Sequence, residues 1–183
     1  MDIGKTLRVT SRGEWRDWLE RHHAIEREIW LVNPNKKAVG EGRLPYNDAV
    51  EEALCFGWID SIVKSLDEAH AVQRYTPRRP GSPLSEMNKE RIRRLEAMGR
   101  MTPAGHAVIG NVLSERFEVP ADILAALQVD EETWRNFQAF PESYQRIRVG
   151  WIDASRNRPD FFETRLRYFL RLTKQNKRYG MVQ

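Results

Sequence analysis

With 183 residues, 40% of them hydrophobic and 31% charged, the chain has the composition of a folded protein and the length of one well-cored domain. No apolar run approaches the roughly 20 residues of a membrane helix, Met1-Asp2-Ile3-Gly4-Lys5 lacks a signal-peptide core, and one cysteine excludes both an internal disulfide and a Cys-rich zinc site, so a cytoplasmic location is expected. The net charge of +4 is uneven, with +5 over residues 74–100 and +6 over 141–183 against −3 over 1–73 and −4 over 101–140, a pattern suited to an anionic ligand or to internal ion pairing.

Leu7 and Val9 alternate with polar residues and predict a short strand. Ser11-Arg12-Gly13-Glu14 is a capping box, in which the Ser11 hydroxyl accepts from the Glu14 backbone N–H and Glu14 reaches back. It opens a helix with Trp15, Trp18, Leu19 and His22 near one face. Glu28 to Val32 is rich in β-formers and predicts a covered strand. Residues 33–44 read as a polar, mobile loop. A helix follows from about Asn47, with Gly57 where a left-handed C-terminal cap is needed. Ile59–Leu66 and Ala71–Thr76 predict two strands joined at Asp67-Glu68-Ala69.

From there the pattern turns helical. Ser82 with Pro83 predicts one helix start, Thr102 with Pro103 a second, and Pro120, Asp130 and Pro141 three more. The last helix is expected over about Pro159–Thr173. The order predicts an α+β fold: a small, mostly antiparallel sheet in the N-terminal half with helices packed on it, and an all-helical C-terminal half. A single domain over 1–183 is expected, with strands and helices in 1–80, helices in 82–175 and a flexible tail over 176–183.

The polar residues that stand out fall between Cys55 and Asn88. Trp58 and Asp60 alternate along a strand and share a face. An acid beside an indole can be raised in pKa and serve as acid or base, although such an acid is more often a hydrogen-bonded structural residue. Arg78-Arg79 precedes a predicted helix start, and guanidinium forks suit phosphate or carboxylate. Ser85 and Asn88 on the first turns complete an anion cradle. The alternative is that the arginines pair with Asp60 or Glu86 and lock the hairpin to the helix. Cys55, on an apolar face, reads as a buried, inert thiol. His106 reads as the first turn of its helix, where it is either a proton carrier or a packing residue. His22, His23 and His70 have no metal-ligand spacing. Trp15, Trp18, Trp30, Trp134 and Trp151 are expected to fill the core.

Several of these residues carry a family resemblance. Tyr46, the run Ala49-Val50-Glu51-Glu52-Ala53-Leu54-Cys55-Phe56-Gly57-Trp58-Ile59-Asp60, then Thr76-Pro77-Arg78-Arg79, Ser82, Ser85, Asn88, Leu95, Gly99-Arg100-Met101 and Ala104-Gly105 resemble the bacteriocin-protection, OmpD-associated (YdeI-like) family. A weaker echo lies at Glu163-Thr164-Arg165. The chain departs from the family pattern at Leu84, where the family has Trp between the two serines, and over Ser155–Asp160, which is longer than usual. The resemblance implies a link to antimicrobial-peptide or envelope stress and names no reaction.

The reading that follows is a protein binding a small anionic ligand, with Arg78 and Arg79 on the charge, Ser85 and Asn88 orienting it, Trp58 as an apolar wall beside Asp60, and Lys37 closing over it. One alternative is an enzyme in the same pocket using Asp60 or His106. Another is a nucleic-acid- or protein-binding module using Arg165, Arg167, Arg171, Lys174, Lys177 and Arg178 of the basic C-terminal helix and tail. No cofactor, metal or membrane span is expected.

Overall fold

The structure is a computed structural model that describes residues 2–35 and 40–180. Four strands and eight helices are described, and Cα packing divides the chain into two compact units. Unit 1 comprises residues 1–82 and 91–113; unit 2 comprises residues 83–90 and 114–183.

Unit 1 holds the sheet: β1 (Thr6–Leu7), β2 (Ile29–Pro34), β3 (Trp58–Ser65) and β4 (His70–Pro77), in the order β1-β2-β4-β3. β4 runs antiparallel to both β2 and β3, while β1 lies parallel to β2. The sheet is therefore mixed and not purely antiparallel. A parallel pair needs a crossover, and α1 (Arg12–His22) between β1 and β2 supplies it.

The α1 start forms as its sequence dictates. Ser11 caps the Glu14 N–H, and the Glu14 carboxylate accepts from the Thr10 and Ser11 backbone N–H groups. Trp15 and Trp18 stack with centroids 5.3 Å apart, Trp15 meets Tyr75 of β4 edge-on, and Trp18 meets Trp58 of β3 at 84°. The indole N–H of Trp15 donates to Ala49 O of α2 (Tyr46–Cys55) and that of Trp58 to His23 O, so each ring buries its apolar area and satisfies its donor. At the end of α2, Gly57 adopts φ 73°, and a Cβ there would stand 2.8 Å from Ala104 O. The short turn α4 (Pro103–His106) thus lies close against the end of α2, capped by Thr102, whose hydroxyl also donates to Cys55 O.

α3 (Glu86–Ala97) begins three residues later than the Ser82-Pro83 signal implied. The Ser82 hydroxyl is taken by the preceding turn: it donates to Arg79 O and accepts from Arg78, with Gly81 at φ 73°. Ser85 takes over, its hydroxyl accepting from the Asn88 N–H. The second predicted helix start, at Thr102, yields only the single turn of α4.

The rest of unit 2 is helical: α5 (Ala121–Gln128), α6 (Glu131–Ala139), α7 (Glu142–Asp153) and α8 (Pro159–Lys174). α5, α6 and α7 follow the Pro120, Asp130 and Pro141 signals, and Asp130 caps Thr133. Their core gathers Ile123, Leu127, Phe137, Tyr144, Ile152 and Phe169. Past α8, the Tyr179 N–H donates to the Tyr144 hydroxyl. Among the described residues no helix is long and apolar enough to cross a membrane.

Candidate functional site

In unit 1 the functional-looking residues collect on the sheet face beneath α1 and α2. Asp60 of β3 pairs in register with Tyr75 of β4, and the period of two puts Trp58, Asp60, Gln73 and Tyr75 on that face. The Asp60 Oδ2 accepts from the Tyr46 hydroxyl at 3.0 Å and from Gln73 Nε2 at 2.8 Å. Tyr75 is fully buried, and its hydroxyl has no hydrogen-bond partner among the described residues. Burial, then the nearby Asp60 charge, pushes Tyr75 far above the usual phenol range and Tyr46 up to about 12, and the Arg91 guanidinium partly offsets both. Arg91 is itself buried and donates to Asn47 Oδ1 at 2.8 Å. The Asp60 carboxylate thus gathers the Tyr46 phenol and the Gln73 amide, and Asp60, Tyr46 and Arg91 all act on the buried Tyr75 hydroxyl.

The predicted site residues divide between the two units. Trp58, Asp60, Arg78 and Arg79 belong to unit 1, and Ser85 and Asn88 to unit 2. Lys37 lies outside the described residues. Trp58 is 1% exposed, inside the aromatic stack. The Arg78 N–H donates to Gly57 O, which seats the residue beside the start of β3. Its guanidinium donates to Ser82 O and Oγ, and burial lowers its pKa. Arg79 is exposed on the turn that follows. His106 ends α4 rather than opening a longer helix, and its Nε2 lies 2.7 Å from Glu96. Cys55 is buried, and burial followed by the Glu52 charge raises its thiol to about 11, as expected of an inert thiol.

Beside this cluster lies an ion network that the charge count could not place. Glu51 and Glu52 of α2 are buried, and Arg12, Arg16, Arg94 and Arg100 converge on them. Burial opposes the charges on Arg12 and Arg16, but hydrogen bonds and charge from Glu52 outweigh it and raise both pKa values. The carboxylates of this network are met by arginines from three other segments, as a structural ion cluster requires.

Unit 2 contains a cavity of about 580 Å³ between the first turn of α3 and α7. Leu84, Met87, Ile147 and Trp151 supply its apolar wall, and Ser85 lies on it. Trp151, expected in the core, is instead 37% exposed. The Arg165 guanidinium lies over its ring, 4.2 Å from the centroid, and donates to its carbonyl oxygen. Sequence reasoning missed Met87, Ile147 and Trp151 as site residues, since apolar residues at helical spacing read as core. Among the described residues no group of three His, Cys, Asp or Glu side chains is placed to hold a metal ion.

Residues 7–108 match the family model described as a domain of unknown function (DUF8412), and residues 116–176 match the model described as bacteriocin-protection, YdeI or OmpD-associated. The motif from Tyr46 to Gly105 falls in the first match and Glu163-Thr164-Arg165 in the second. No curated protein and no solved structure matches the chain.

Proposed function

The chain belongs to the DUF8412 family, with the bacteriocin-protection, YdeI or OmpD-associated domain in its C-terminal part, and from that premise we propose that it binds a small anion bearing hydroxyl groups at the Asp60–Tyr75 cluster. The observation that carries the reading is the buried Tyr75 hydroxyl, which lacks a partner beside a half-buried carboxylate. A buried hydroxyl left unsatisfied costs about 1–3 kcal/mol, and a ligand that hydrogen-bonds it recovers that cost. Asp60 receives both of its bonds on Oδ2, so Oδ1 is the acceptor for a ligand hydroxyl. Arg91, close enough to act on both phenols, supplies charge for the anionic group, and Arg78 and Arg79 add positive potential past the end of β4. The setting we propose is the one the second family's description gives, bacteriocin protection.

The test is a thermal-shift screen of hydroxy acids, sugar phosphates and nucleotides, with a DNA duplex and an acidic polymer alongside. A ligand at 100 times its Kd stabilises by about 2.7 kcal/mol, a shift of several degrees. The reading expects a small-anion response that is lost in both Tyr75→Phe and Asp60→Asn. A response that persists in both variants, or silence across the small anions, overturns it. A response to the polymers alone moves the function to the basic arginines of α8.

A further inference from the structure

We propose that the outer side of α8, with Trp151 of α7 beside it, is a binding surface for single-stranded nucleic acid, separate from the Asp60–Tyr75 site of unit 1.

Helical spacing builds the surface. Phe161, Thr164, Tyr168 and Arg171 follow one another at three or four residues and are exposed along one side of α8, while Phe162, Leu166 and Phe169 pack into the core of unit 2. Trp151 joins them through Tyr179, whose ring meets Tyr168 at 4.8 Å and Trp151 at 6.2 Å, both edge-on. Three large rings therefore reach solvent on one side of the unit: Trp151 at 37%, Phe161 at 54% and Tyr168 at 39% exposure.

Each of these rings carries a guanidinium. Arg165 lies 4.2 Å from the Trp151 centroid, Arg158 4.7 Å from that of Phe161 and Arg171 5.3 Å from that of Tyr168. Neither these three nor Arg167 of the same helix meets a carboxylate among the described residues, whereas Arg146, Arg156 and Lys174 of unit 2 do. From Arg158 to Arg171 the four positive charges extend over about 20 Å of helix. Charges of one sign held this close repel one another, and a row of phosphates relieves that repulsion.

The mixture of rings and charge selects the ligand. Phosphates suit guanidinium edges. Unpaired bases stack on aromatic rings and on guanidinium planes alike, so an arginine lying on a ring continues the stack and does not block it. An acidic polypeptide would use the charges and leave the rings idle. A duplex keeps its bases stacked on one another and offers mainly phosphates. A membrane surface would call for the apolar stripe of α8, which the core of unit 2 already occupies.

The test is fluorescence anisotropy of a labelled DNA single strand of about twelve bases, titrated with the full chain across salt concentrations. The strand is expected to bind at least about fivefold more tightly than the same sequence as a duplex, or than polyglutamate of equal charge. Its log K is expected to fall by roughly 2–3 per tenfold rise in salt, as about four phosphate contacts require. A ribonucleotide strand in parallel shows which sugar the surface prefers, and either preference supports it. Arg167→Gln is expected to flatten the salt slope by about 0.7, and Phe161→Ala to weaken binding about fivefold or more with the slope unchanged. Both side chains are exposed, and an unchanged thermal melt shows that each variant keeps its fold. Tyr75→Phe, in the other unit, is expected to leave strand binding as it was, so the two sites stand or fall separately. No binding at low salt overturns the proposal. So does a duplex or polyglutamate that binds as tightly as the strand, an unchanged slope in Arg167→Gln, or an unchanged affinity in Phe161→Ala.

Discussion

Arg16 of α1 meets Glu52 of α2 at 2.8 Å, with the Glu52 side chain wholly out of solvent. The carboxylate is shared with Arg12 and Arg100, so three cations meet at one buried anion. Removing one partner of such a group leaves its counterparts uncompensated, which costs more than the intact pairs contribute. Glu52→Ala is expected to destabilise by about 3 kcal/mol in urea unfolding. A loss below about 1 kcal/mol would show that solvent already screens the arginines.

Gly57 combines φ 73° with a backbone neighbour where a Cβ would stand. Gly57→Ala therefore meets both left-handed strain and a clash with Ala104 O, which cannot yield as a flexible side chain would. The expected loss is about 2 kcal/mol, read from the denaturation midpoint at unchanged m.

Cys55 tests the packing between the end of α2 and α4. Burial raises its thiol to about 11, so little thiolate exists at pH 8. Native protein is expected to react with a thiol-specific disulfide reagent only as fast as it unfolds, and fully in denaturant. Rapid native labelling would mean that this packing opens.

His70, at the start of β4, lies 3.0 Å from Glu41 through Nε2 and 2.9 Å from Asp67 through Nδ1. Glu41 and then Asp67 raise its pKa above 6.5, with Arg8 2.8 Å from Nε2 as the opposing charge. A raised folded pKa stabilises the fold below the unfolded value and fades as pH rises through the folded one. An NMR titration is expected to place its midpoint above about 6.5. Between pH 6 and 8, wild type is expected to lose stability relative to His70→Gln. A flat difference would show the clasp to be uncharged.

Tyr75→Phe removes the unsatisfied hydroxyl and keeps the ring against Trp15. Without ligand it is expected to raise stability by about 1 kcal/mol in urea unfolding, the reverse of the usual sign for deleting a buried polar group. A destabilised variant would show that the hydroxyl has a structural partner.

The residues legible in sequence were those whose role is local. Ser11 with Glu14, Asp130, Thr102 and the last helix all behave as their spacing dictates, because a cap or an amphipathic stripe is decided within a few positions. Ser82 misled because its hydroxyl had a nearer use, in the turn after Arg79. The parallel β1–β2 pairing could not be read, since two residues of pattern do not fix a direction. Asp60 was legible as a polar residue sharing a face with Trp58, but its link to Tyr46, Gln73 and Tyr75 depends on the β3–β4 register. Trp151 and Met87 were invisible as site residues because a cavity wall and a core share one apolar pattern.

β3 forms the outer edge of the sheet, and its register shifts between Asp60 and Val63. Ile62 and Val63 stand 42% and 61% exposed along that edge. A flat apolar edge would template pairing with other chains, and a bulge with a neighbouring lysine, here Lys64, breaks the regular row of donors and acceptors. The irregularity beside the Asp60 cluster therefore also interrupts the row that an incoming strand would have to match.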